Sequence, residues 1–134
     1  MIEVKDVIVL KIPYPDITSV LAERPHMYIC CGISDSTCEL VKCQTFKAYH
    51  RALGREPSRR VVENPDAARN PFRATTLIDL DKLIVATRSL LPDSLKTGRG
   101  ICNELHDEIL CNLNETTKRV ALDDANLRLL NPAI

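Results

Sequence analysis

The apolar residues in the first half of the chain recur at strand spacing rather than helical spacing. Residues 2–12 hold Val4, Val7, Ile8, Val9 and Leu10, a β-branched run. It stops at Pro13-Tyr14-Pro15-Asp16, where two prolines withhold backbone donors and force a turn. A loop over 17–23 follows, then a second strand over 25–31 that Gly32 and the polar run Ser34-Asp35-Ser36-Thr37 close. A third strand is predicted over 38–46, with Leu40 and Lys42 pointing one way and Val41 and Cys43 the other. Residues 49–73 read as a long excursion, because Gly54, Pro57, Pro65 and Pro71 interrupt every period; a short helix near 46–53 is the one element expected in it. Residues 74–78 and 83–91 read as two more strands joined by a helical turn at Asp79-Leu80-Asp81-Lys82, and Pro92 closes the sheet-forming part.

The period then changes. Ile101, Leu105, Ile109 and Leu113 share one helical face, with Asn103, Glu104, Asp107 and Glu108 on the other, so an amphipathic helix is predicted over 101–113. A second, shorter helix is expected within 121–130. About five strands followed by helices, without β-α-β alternation, argue for a mainly β fold: an antiparallel sheet or small barrel with C-terminal helices at one end.

At 134 residues the chain is the size of one domain, read as a single unit over 1–134 with a long insertion at about 47–72. Hydrophobic residues at 45% and charged residues at 27% are the balance of a globular chain. The longest apolar runs, 7–10 and 27–31, are too short for a membrane span, and MIEVKD has no basic stretch leading into an apolar one. A cytoplasmic protein without a membrane partner is expected.

Eighteen basic and eighteen acidic residues cancel, so no overall field draws the molecule to a polyanion. The distribution is uneven, however. Residues 42–73 carry eight basic side chains against three acidic ones, an excess of five. That segment is a candidate for polyanion contact, with a solvated basic loop as the alternative. Six cysteines without a CxxC pair, and His26, His50 and His106 scattered singly, read as reduced and mainly buried thiols; no metal and no cofactor are expected. There is no phosphate-binding Gly-rich loop, no GxSxG and no HExxH, and Gly98-Arg99-Gly100 is too short for a dinucleotide fingerprint.

Asp6-Val7-Ile8-Val9-Leu10, then Pro13-Tyr14-Pro15-Asp16-Ile17-Thr18-Ser19, Glu23-Arg24-Pro25 and a strand ending Cys31-Gly32 resemble the opening of PemK/MazF family toxins. The resemblance continues in Val41-Lys42-Cys43-Gln44-Thr45, in residues 74–83 and in the helix over 101–113; it covers roughly two thirds of the chain. Lys5 stands where the family usually has glycine before the aspartate, and the segment between the third and fourth strands is much longer. The resemblance implies a CcdB/Kid/MazF-like, SH3-like barrel of about five to seven strands, a homodimer, and a growth-inhibiting endoribonuclease restrained by an antitoxin protein. By position it makes Arg24 the catalytic arginine and Thr45 the assisting hydroxyl.

Such an enzyme cleaves single-stranded RNA by internal transesterification, which needs phosphate stabilisation and proton transfer but no metal. Arginine suits the phosphate. His26 and His50 suit proton transfer better than Arg24 does, and Gln44, Lys47 and Arg73 are candidate substrate contacts. Tyr14, Phe46, Tyr49 and Phe72 are the rings on which bases stack, unless the core takes them. Two other readings stand beside this one: a non-catalytic module of the same fold that dimerises or binds a peptide or nucleic acid, and a zinc-stabilised regulatory protein built on the cysteines.

Overall fold

A computed structural model describes residues 1–12, 24–54 and 56–134, with only the backbone of residues 49 and 50. The turn over 13–16, the loop over 17–23, and Tyr14 within them lie outside the described residues, as do the side chains of Tyr49 and His50. The architecture is mainly β: a six-stranded mixed sheet with short helices. The strands are β1 (Val7–Leu10), β2 (His26–Ile33), β3 (Thr37–Thr45), β4 (Arg60–Glu63), β5 (Thr76–Thr87) and β6 (Lys118–Ala121). The α-helices are α1 (Ala48–Ala52), α2 (Asn103–Cys111) and α3 (Asp124–Leu130). Sheet order is β1-β2-β3-β5-β4, and β6 joins β5 in parallel.

Strand alternation explains why the core has two halves. On β2, Tyr28 and Cys30 enter one apolar cluster and Ile29 and Cys31 enter the other; on β3, Cys38 and Leu40 oppose Val41 and Cys43 in the same way. The two main helices cover opposite faces rather than one end: Leu127 of α3 seals the first cluster, Leu105 and Ile109 of α2 the second. All three are fully buried, each worth roughly 2 kcal/mol of transfer free energy. No helix among the described residues is long and apolar enough to cross a membrane.

Four expectations are corrected. The first strand is shorter, because Lys5 takes φ +78° and kinks the arm before Val7. The excursion over 49–73 holds, besides the expected short helix α1, an unexpected strand, β4, whose Arg60, Val61, Val62 and Glu63 pair with Asp79, Ile78, Leu77 and Thr76. The two strands and helical turn over 74–91 are one strand, β5. It is offset at the expected turn, since β3 pairing steps from Lys42↔Asp79 to Leu40↔Ile84. Finally, Pro92 does not close the sheet and the sheet is not wholly antiparallel, because β6 pairs Lys118–Ala121 with Lys82–Val85 in parallel.

Candidate functional site

A cleft of about 540 Å³ opens where β2 begins, β3 ends and β5 begins. Its floor and near wall follow from register: Met27 pairs with Cys43, and Thr45 pairs with Thr76, which also faces Glu63. Directly opposed residues share a face, so Met27, Thr45, Thr76 and Glu63 lie on one side of the sheet. Glu63 is almost fully buried, and its carboxylate accepts hydrogen bonds from Arg69 Nε at 2.7 Å and Asn70 Nδ2 at 3.2 Å. Asn70 in turn accepts from the Phe72 amide at 3.1 Å. This chain of bonds holds residues 64–73 against the sheet, with Phe72 in the core and Arg73 exposed on the cleft rim.

The far wall is the segment before α2. It is stitched to the N-terminal arm by Thr97 N to the Val7 carbonyl at 2.8 Å and Ile101 N to the Lys5 carbonyl at 3.0 Å. Gly100 is required there, because a β-carbon would collide with the Lys5 carbonyl oxygen. Arg99 is thereby set on the rim, where its guanidinium donates to the Ala67 carbonyl. Its own carbonyl accepts from the Thr97 hydroxyl at 2.6 Å.

Three threonine hydroxyls line the cleft, and two are occupied: Thr97 by Arg99 and Thr76 by the Ala74 carbonyl at 2.9 Å. Thr45 is exposed and makes no side-chain hydrogen bond with a described residue.

The cations divide in the same way. Within the basic segment Arg51 and Arg60 share Glu56 at 3.4 and 2.9 Å, Arg69 holds Glu63, and Arg59 donates to the Asn112 carbonyl at 3.1 Å. Arg73 has no such bond among the described residues. With Met27, Pro71, Phe72 and Ala74, the lining is an apolar floor under two arginines and one unengaged hydroxyl.

The remaining candidates lie around this end of the sheet without lining the cleft. Arg24 is exposed in the bend before β2; the β2–β3 register, continued from Met27↔Cys43, brings Pro25 abreast of Thr45. Lys47 is exposed just past β3. His26 and Gln44 alternate to the opposite face from Met27 and Thr45. There the row Tyr28–Lys42–Asp79–Arg60 crosses four strands. Half-burial shifts the titrating groups of this region away from charge. Burial first, then the positive charge of Lys42, lowers the His26 pKa, while its hydrogen bond to the Arg24 backbone pulls the other way. Burial likewise lowers Lys42, against Asp79, and raises Asp79.

Four of the six cysteines are buried, and burial pushes the Cys31 thiol up to about 12. Among the described residues no three His, Cys, Asp or Glu side chains are placed to hold a metal ion.

No family model, curated protein or solved structure matches the chain. The chemistry of the cleft therefore carries the functional reading. Arg99 is the rim residue that sequence reasoning passed over. Its signal was present: an arginine flanked by Gly98 and Gly100 immediately before a helix, which fails as a dinucleotide motif but marks a tight, exposed presentation of one cation. Lys42 and Asp79 gave no local signal, since only cross-strand pairing joins them.

Proposed function

We propose that the protein is a PemK/MazF-like, metal-independent endoribonuclease acting in the cytoplasm on single-stranded RNA. The observation that carries this reading is the Thr45 hydroxyl, unengaged among the described residues and opening on an apolar-floored cleft rimmed by Arg73 and Arg99. An apolar floor suits a splayed base and guanidinium groups suit phosphate oxygens, a combination that single-stranded nucleic acid meets. A second support is Lys5: the backbone there is left-handed, the conformation that glycine adopts without penalty, at the position where the resembling family carries glycine.

In the proposed reaction the ribose 2′-oxygen attacks the adjacent phosphorus, the bond to the 5′-oxygen breaks, and a 2′,3′-cyclic phosphate and a 5′-hydroxyl result. Arg24 holds the non-bridging oxygens as charge grows on them, and Thr45 donates a further hydrogen bond. The 2′-hydroxyl proton passes to a base and a proton passes to the leaving 5′-oxygen; His26 and His50 are the candidates for these transfers, His26 reaching the strand only from around the sheet end because it lies on the face opposite Thr45. Gln44, Lys47 and His50 remain candidate contacts. The SH3-like barrel, a homodimer and an antitoxin partner belong to the same reading.

The test is cleavage of mixed-sequence single-stranded RNA in EDTA, with the product ends identified. Cyclic-phosphate ends, lost in Arg24→Ala and Thr45→Ala proteins that melt like wild type, are the expected result. A folded protein that cleaves none of the sequences overturns the nuclease and leaves a non-catalytic binding module of the same fold.

A further inference from the structure

We propose that Arg73 and Arg99 form a phosphate clamp that grips single-stranded nucleic acid, DNA as well as RNA. This deepens the reading just given, because it rests on the cleft receiving a nucleic-acid strand. It follows from what each lining group has left to offer. Arg73 has no ion pair or hydrogen bond among the described residues, and Arg99 spends one donor on the Ala67 carbonyl, leaving most of its fork for a ligand. The two come from different segments, the backbone before Arg73 anchored by Glu63 through Asn70 and that around Arg99 by the Lys5 and Val7 carbonyls, and the Arg99 bond to Ala67 ties the two segments together at the rim.

Met27, Pro71 and Ala74, over the buried Phe72, give the same cleft an apolar surface for a base. The sugar meets almost nothing. Of the lining hydroxyls Thr97 and Thr76 are engaged, and Thr45 alone among the described lining residues remains to meet a 2′-hydroxyl. Binding therefore rests chiefly on phosphate and base, with Thr45 the one open lining hydroxyl among the described residues able to meet the sugar, so DNA is held as well as RNA and cleavage alone requires the attacking 2′-oxygen. The net charge of zero adds weight to a local clamp, since no general field supplies affinity.

The experiment measures binding of a fluorescein-labelled single-stranded DNA 12-mer by anisotropy, across a salt series, for wild type and for Arg73→Ala, Arg99→Ala and Arg128→Ala. Arg128 is an exposed arginine on α3 and serves as the remote control. Wild type is expected to bind. Each clamp variant should weaken binding about tenfold and reduce the log–log salt slope by about 0.7, the value for one lost phosphate contact on a single strand. Arg128→Ala should change neither, and polyglutamate of equal length should compete poorly because it brings no bases to the floor.

Three outcomes overturn the clamp: no binding of DNA by wild type, unchanged binding by both clamp variants, or equal weakening by Arg128→Ala. Efficient competition by polyglutamate overturns the base-binding half. RNA cleavage, measured separately, distinguishes the failures: clamp-dependent DNA binding without RNA cleavage sinks the nuclease alone, and RNA cleavage that Arg73→Ala and Arg99→Ala leave untouched sinks the clamp alone.

Discussion

Two polar regions sit back to back at one end of the sheet, built from alternate residues of the same strands. On the cleft side Thr45, Arg73 and Arg99 are exposed, and the carboxylate nearby, Glu63, is turned inward to hold Arg69 and Asn70. On the other side His26, Lys42 and Asp79 are half-buried, and each is shifted toward its neutral form. The contrast separates two uses of charge. Exposed cations with open donors suit binding, whereas half-buried groups lose part of their solvation and are pushed toward their neutral forms.

The sharpest way to break this division is at Glu63. Glu63→Ala leaves Asn70 and the Arg69 guanidinium short of an acceptor and should cost about 2–3 kcal/mol of stability by denaturant unfolding. It should also weaken DNA binding, because the wall that presents Arg73 loosens, while the His26 titration stays as it is.

A smaller effect of opposite sign is expected at Lys5, whose carbonyl supports the Arg99 wall. Lys5→Gly relieves a left-handed backbone and should stabilise the protein by about 1 kcal/mol, partly offset by loss of the Lys5 Nζ hydrogen bond to Asn103 at 2.7 Å. Binding should be unchanged.

On the opposite face the effect is on titration. Lys42→Met removes a positive charge that lowers His26 but leaves its burial in place, so the His26 pKa measured by NMR should rise yet stay below its ordinary 6.5. In wild type, His26 contributes stability that is intact above 6.5 and is lost as pH falls below it, because the unfolded chain binds that proton more tightly. A His26 pKa at or above 6.5, or one that Lys42→Met leaves unmoved, would contradict the division between the faces.

The parts of this molecule that were legible in the sequence are those in which the local pattern and the long-range packing agree. The period-2 run through 26–33 and 37–45 and the helical face of Leu105 and Ile109 are of this kind. β5 was legible only as fragments, because Asp79, Asp81 and Lys82 read as a turn. In the folded chain Asp79 pairs with Lys42 and Arg60, and Asp81 caps the amides of Ser58 and Arg59 at 2.9 and 2.8 Å. The partners of these strand polar groups lie some twenty or more residues away in sequence, and the strand does bend where the turn was expected. β4 and β6 are four residues each and mostly exposed on one side, so neither carries enough alternation to stand out between prolines and polar runs.

The site was legible in its residue types and less so in its membership. The excess of basic residues over 42–73 marked a candidate segment, yet most of its arginines are consumed by Glu56, Glu63 and a helix-end carbonyl. Arg73 survives that accounting, and its companion Arg99 comes from outside the segment, brought across by the backbone bonds to Lys5 and Val7. Which cation stays open depends on the fold, and composition does not record it.

The measurement that bears most directly on the central claim is single-turnover cleavage of single-stranded RNA in EDTA by wild type and Thr45→Ala. Wild type should release cyclic-phosphate ends, and Thr45→Ala should do so about a hundredfold or more slowly with its DNA binding retained, as expected for losing one donor to a developing oxyanion. Equal rates in the two proteins, or no cleavage by a folded wild type, would contradict a catalytic cleft at the end of β3.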